Sequence, residues 1–234
     1  MARPRLDVYH LPSSGLDAQH PIWWGNTLLL CVETTLVSWL VVAYFYLRHN
    51  FEPWPPPRVN QGLPMLPSAP GLEFATANTV LLLLSVVPMI AVDRIARRRA
   101  RAEVATEERP EPIIPPHGGF LPHTMSAPVV IFLALTLLGC VSTYLRFHEF
   151  GDLRFNWHDN AYASVIWSLL GLHLSYIVMS VIEVFLLAVW VWQEGFTVKF
   201  ALDTTLAAVS WYWTVGVWLV IYAVVFWAPR WLGT

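Results

Sequence analysis

Three titratable side chains stand in stretches of this sequence that otherwise read as hydrocarbon. Glu33 lies in TLLLCVETTLVSWLVVAYFY, the run from Thr27 to Tyr46, with no basic residue close by. A charge at mid-membrane costs at least ~2.5–3.5 kcal/mol on insertion scales. The carboxyl is therefore expected to be protonated or turned toward a polar partner on another helix. Asn26, seven residues earlier, falls on the same helical face. Two readings stay open: a proton-handling or ligand-contacting group, and an interhelical hydrogen bond that fixes packing. The other two groups are His173 and Glu183. With Tyr176 and Ser180 they follow i, i+3, i+7, i+10, one side of a helix. A membrane histidine raises the question of a heme or metal ligand. Such sites usually need two or more ligands at usable spacing, and no second histidine falls inside a predicted helix, so a buried, hydrogen-bonded histidine is the preferred reading. Glu183 is read as a partner for another helix or for lipid headgroups.

Other candidates are weaker. RFHEFGDLRFNWHDN gathers His148, Glu149, Asp152, His158 and Asp159. An external metal site is one reading, a solvated connecting segment the favoured one. Cys31 and Cys140 lack CxxC spacing and are expected to be small apolar core residues. Nothing pairs a nucleophile with a base or forms a phosphate loop, and no cofactor or metal site is predicted.

The elements that must position these groups are membrane helices. Of the 234 residues, 56% are hydrophobic and 13% charged, and mean hydropathy is +0.51. A soluble domain carries about 25% charged residues. Thirteen Trp and eight Tyr suit the membrane–water interface. A net charge of −2 gives no basic field for nucleic acid. The first 24 residues show no signal-peptide pattern. Five apolar runs, roughly 24–47, 76–96, 127–147, 161–192 and 207–229, are long enough to span as helices. The predicted fold is all-α, an N-terminal segment over 1–22 followed by a five-helix membrane domain over 23–234. Pro88 is expected to kink the second helix, whereas Pro128 sits harmlessly in the first turn of the third.

Arginines set the predicted orientation. Arg94, Arg97, Arg98, Arg99, Arg101 and Arg109 gather in the second loop. Excess Lys and Arg marks the cytoplasmic side, so the N-terminus is expected inside and the C-terminus outside. Arg48, Arg58, Arg146, Arg154 and Arg230 then fall outside. Trp23 and Trp24 in the first helix, and Trp211, Tyr212 and Trp213 at the start of the fifth, are either an interfacial belt or a lipid-binding surface. On the residues alone, two classes remain: a proton-coupled transporter using Glu33 and Glu183, and a packing and lipid-binding subunit of a larger complex.

The order of motifs resembles subunit III of the heme–copper oxidases, most closely that of cytochrome c oxidase. WWGNTLLLCVETTLVSWLVVAYFYLR is similar to the family helix with an embedded glutamate, at Glu33. WPPP and LEFATANTVLLLLSV are similar to the family's WPP loop and its LNT helix start, at Asn78 and Thr79. LRFHEF places Glu149. HDNAYASVIWSLLGLH matches through Asp159, Tyr162, Ser164, Gly171 and His173, and SWYW matches the last helix. The likeness runs from Trp23 onward and covers the last five of the seven helices in longer members, as in short bacterial forms. Three features depart from the family. Tyr176 replaces a frequent second histidine, TVGVW follows Trp213 in place of a His and an Asp, and the Arg-rich loop is longer.

The resemblance implies a bacterial inner-membrane subunit without heme or copper of its own, those groups belonging to partner subunits. It implies packing against subunit I, in a complex with subunit II, phospholipid held in a helix cleft, and support of proton uptake during oxygen reduction. A quinol oxidase subunit III and an accessory protein of a nitric oxide reductase share the five-helix plan and stay as alternatives.

Overall fold

A computed structural model describes residues 21–52, 54–56, 70–106, 126–153, 155–195 and 199–232. The N-terminal segment up to residue 20 and most of the two longest loops lie outside the described residues. Helix α1 spans Pro21–Asn50, α2 Glu73–Thr106, α3 Ala127–Asp152, α4 Ala161–Glu194 and α5 Lys199–Tyr222. A π-helical turn, Ala223–Trp227, and the short α6, Ala228–Leu232, continue α5. No strand occurs among the described residues. Five helices are long and apolar enough to cross a membrane, and the chain is a multi-pass all-α protein.

The helices outrun the apolar runs that announce them. Helix α5 begins at Lys199, eight residues before the predicted start at 207. Asp203, Thr204 and Thr205 interrupt the hydrophobic run there, but the structure gives the threonines helical or interhelical partners. The Thr204 hydroxyl donates to the Phe200 carbonyl at 2.6 Å and that of Thr205 to Asp93 Oδ1 on α2 at 3.0 Å. Helix α3 runs five residues past its predicted end, to Asp152, and so brings Glu149 onto the same helix as Arg146. Helix α2 continues through Pro88. The π turn has a local cause at Pro229, which offers no N–H to the carbonyl four residues back and whose ring would crowd it. The chain widens instead, and the Ala228 N–H reaches the Ala223 carbonyl.

Helices α2, α3, α4 and α5 close into a ring, α2 touching α3 and α5, and α4 touching α3 and α5. Helix α1 packs on the outside of α4 and α5. Its only buried residues are Val37 and Tyr44, while Leu28, Val32, Trp39 and Val42 face outward. In lipid an outward apolar side chain carries no penalty, so hydrophobicity there does not report burial. The same physics corrects the expectation for the cysteines. Cys31 and Cys140 are exposed on outer faces rather than in the core.

Helices α3 and α4 approach closely at Gly139. A Cβ at Gly139 would fall inside van der Waals contact with Val181 Cγ2 and 3.3 Å from the Trp211 ring. Close helix contact of this kind drives association where no hydrophobic effect operates.

Candidate functional site

The ring encloses a polar cluster at its centre, drawn from four helices. Arg146 and Glu149 on α3 are three residues apart, hence on one helical face, and form an ion pair between Nη1 and Oε2. Arg146 is 0% exposed and Glu149 3%. Glu149 Oε1 accepts from Asn78 Nδ2 of α2 at 3.0 Å, and Asn78 Oδ1 accepts from the Ser142 hydroxyl at 2.6 Å. The second guanidinium arm, Nη2, lies 3.0 Å from His173 Nδ1 on α4. The guanidinium also stacks over the Trp218 ring of α5, 3.7 Å from its centroid. Trp218 Nε1 donates in turn to Thr79 Oγ1 at 2.8 Å.

This geometry fixes the histidine. Arginine only donates, so His173 Nδ1 is the acceptor. Nε2 therefore carries the proton, and it points at the Thr214 carbonyl of α5 at 3.1 Å. The imidazole is neutral, in the Nε2–H tautomer, and links α3 to α5 through α4. Both Glu149 oxygens are engaged, whereas the Nε of Arg146 has no acceptor among the described residues. An ion pair taken out of water is tolerated only when its remaining donors and acceptors are satisfied. Here Glu149 Oε1 and Arg146 Nη2 are met by Asn78 of α2 and His173 of α4. The arrangement is buried and ties α2, α3, α4 and α5 to one another from within.

The other sequence-predicted residues lie elsewhere. Glu33 is half-buried on α1, with no hydrogen-bonding partner among the described residues. Its neighbours are self-sufficient, since Thr34 and Thr35 donate to carbonyls one turn back at 2.6 and 2.8 Å. Thr34 Oγ1 also accepts from Trp213 Nε1 at 2.8 Å, and Asn26 Oδ1 accepts from Ser210 at 3.3 Å, tying α1 to α5. Tyr176 lies near Glu33, and its buried hydroxyl has no hydrogen-bonding partner among the described residues. Of the α4 stripe, Ser180 lies 3.5 Å from the Thr214 hydroxyl, and half-buried Glu183 lies near Asp203.

The aromatic candidates divide. Trp24 is exposed, and Trp23, Tyr212 and Trp213 are half-buried. Trp211 turns inward, donating to the Ser85 hydroxyl at 2.9 Å, which makes it an interhelical anchor rather than a lipid-facing side chain. Tyr162 packs in an aromatic cluster with Tyr44, Trp54 and Phe155. Asp159 caps the α3–α4 connection by accepting from the Asn156 N–H at 2.8 Å. Glu149 is drawn into the core, away from His148, which stacks on Phe74 at the surface. Among the described residues no three His, Cys, Asp or Glu side chains gather as a metal site.

Sequence reasoning missed Arg146, which had been counted with the outside loop charges and now leaves that tally. The signal was present: Arg and Glu three apart in LLGCVSTYLRFHEF share a face if the helix runs on. No family model matches the chain, and no curated protein does.

Proposed function

We propose that this chain is a non-catalytic subunit III of a bacterial cytochrome c oxidase. It stabilises the catalytic subunit I, sits beside subunit II, holds phospholipid against its helices and supports proton uptake while the partner subunits, with their heme and copper, reduce oxygen. In this reading it lies in the inner membrane with its N-terminus cytoplasmic and its C-terminus outside.

One observation carries the reading. Asn78, Thr79, Glu149 and His173 come from three separate stretches of the resemblance, and all four belong to one buried cluster. A charge network spent on holding helices together also suits a scaffold better than a carrier, whose polar groups must open to each side in turn.

The test is purification of the tagged chain in mild detergent, followed by an absorption spectrum and mass spectrometry of what accompanies it. Heme absorption with a large many-helix partner is expected. The heme type and the electron donor then separate a cytochrome c oxidase from a quinol oxidase or a nitric oxide reductase system. A colourless chain that stays alone after crosslinking in native membranes overturns the proposal.

The second reading, a stand-alone proton-coupled transporter, draws on Glu33, whose carboxyl has no hydrogen-bonding partner among the described residues. It requires proton-driven transport by the purified chain in liposomes.

A further inference from the structure

A second polar cluster lies away from the centre of the ring, and it is rich in donors. It sits where α1 ends and α4 begins, with α6 beside it. Tyr44 of α1 packs edge-on against Trp54, their ring centroids 5.3 Å apart. Trp54 packs edge-on against Tyr162, the second residue of α4, at 5.0 Å. Phe155 lies against Tyr162 at 5.6 Å. Tyr44 is 0% exposed. Its hydroxyl and Trp54 Nε1 are both closed off from solvent, and neither has a hydrogen-bonding partner among the described residues. The indole lies close enough to act on the hydroxyl, yet no hydrogen bond closes between them. Closing it would not help the hydroxyl proton, because an indole N–H only donates. A buried donor with no acceptor is costly, and it points to a bound water or ion.

The surrounding charge chooses between the two. Arg48 follows Tyr44 by four residues, one turn on along the same face, and its charge reaches the hydroxyl. Arg230 of α6 reaches Tyr162 in the same way. The Arg230 Nη1 and Nη2 groups donate to the carbonyls of Phe226 and Pro70, so no carboxylate among the described residues pairs with this guanidinium. The N-terminal end of α4 adds partial positive charge. Two buried donors thus stand beside two cations and the positive end of a helix.

We propose that the Tyr44 hydroxyl and Trp54 Nε1 bind a chloride ion, held under the charge of Arg48 and Arg230. Chloride only accepts, which is what both groups lack. A water could accept from both, but it brings two O–H donors of its own and no charge to answer the arginines. A phosphate or a carboxylate on a longer molecule would have to reach in from the surface, whereas both donor atoms are closed to solvent, which suits a single atom. The inference needs only the fold and stands independently of the oxidase assignment.

Thermal unfolding of the purified full chain in detergent tests it, with sodium chloride exchanged for sodium gluconate at constant ionic strength. The midpoint should rise with chloride, by about 3–5 °C for each tenfold increase once the site is half filled. Bromide should substitute for chloride, and the larger, polyatomic sulfate should not. Tyr44→Phe keeps the ring and removes the donor. It should lower the midpoint in chloride, and in gluconate leave it unchanged or higher, because there it only deletes a donor with no acceptor. Trp54→Phe removes the other donor and should weaken the chloride dependence. Tyr46→Phe, at a position 69% exposed on the same helix, should leave that dependence intact. A wild-type midpoint indifferent to chloride overturns the proposal. So does a loss in Tyr44→Phe of equal size in the two salts, the mark of a water or a protein acceptor, and so does a shift that sulfate reproduces.

Discussion

The ring of α2 to α5 and the outer helix α1 solve the same difficulty in opposite ways. Each carries a glutamate within the membrane span. In the ring, Glu149 is matched by Arg146 and Asn78, and the pair is sealed from lipid by Trp218 and His173. On α1, Glu33 lies half-buried with no hydrogen-bonding partner among the described residues, and nearby hydroxyls close on their own helix. A charge used for structure is surrounded by complementary groups, and such closure is costly to undo. A carboxyl left half-open can change its protonation or meet a neighbouring chain without disturbing the fold. The contrast assigns stability to the ring and adaptability to α1.

Breaking the ring should show the largest effect. Removing one partner of a buried ion pair leaves the other unpaired, a loss of about 3–5 kcal/mol. Arg146→Met should therefore lower thermal stability sharply, read by circular dichroism of the purified chain in detergent. The double variant Arg146→Met with Glu149→Leu should recover part of that loss, because no isolated charge then remains. A single variant as stable as the wild type would mean that the pair does not hold the ring.

Next comes the α3–α4 contact. A side chain at Gly139 must push Val181 aside, and overpacking of this kind costs typically 1–3 kcal/mol. Gly139→Leu should destabilise by about that amount in the same unfolding measurement. The same change at Gly216, where space is open, should cost much less. Comparable losses at the two positions would show that helix propensity rather than close packing governs both.

Trp218→Phe is smaller again. It keeps an aromatic face under Arg146 but removes the indole donor to Thr79. A net hydrogen bond is worth about 0.5–1.5 kcal/mol, and the loss should fall in that range. A loss as large as that of Arg146→Met would place the Trp218 stack, not the ion pair, at the centre of the ring's stability.

The five spans were legible because hydrophobic length is a property of sequence alone. The order of the ring was not, since apolar residues in lipid do not reveal which face is inside. Cys31 and Cys140 illustrate this, being apolar in setting and outward in place. Arg146 was hidden for a related reason. Ending α3 where hydropathy falls, at 147, puts Arg146 at the helix end and leaves its partner Glu149 in the loop, and only the pairing with Glu149 and His173 makes the guanidinium's burial tolerable. The start of α5 was hidden likewise, because Thr205 satisfies itself across the bundle on Asp93. In each case the missing information was a partner on another helix. His173 was the easier residue, since a histidine inside an apolar run already demanded hydrogen bonds.

Glu33 supplies the smallest expected effect and the sharpest test of the contrast. Glu33→Gln removes titration but keeps shape, and Glu33→Ala removes both. If α1 is the adaptable region, neither should change the stability of the isolated chain by more than about 0.5 kcal/mol, the range of substitutions away from buried networks. Any functional role must then appear in the assembled complex, as a change in proton uptake or in lifetime under turnover that Gln and Ala share. A loss confined to Ala would instead make the side chain a packing element at a partner's surface. A large loss of stability in the isolated chain from either variant would collapse the distinction between α1 and the ring, and would assign Glu33 to the same structural duty as Glu149.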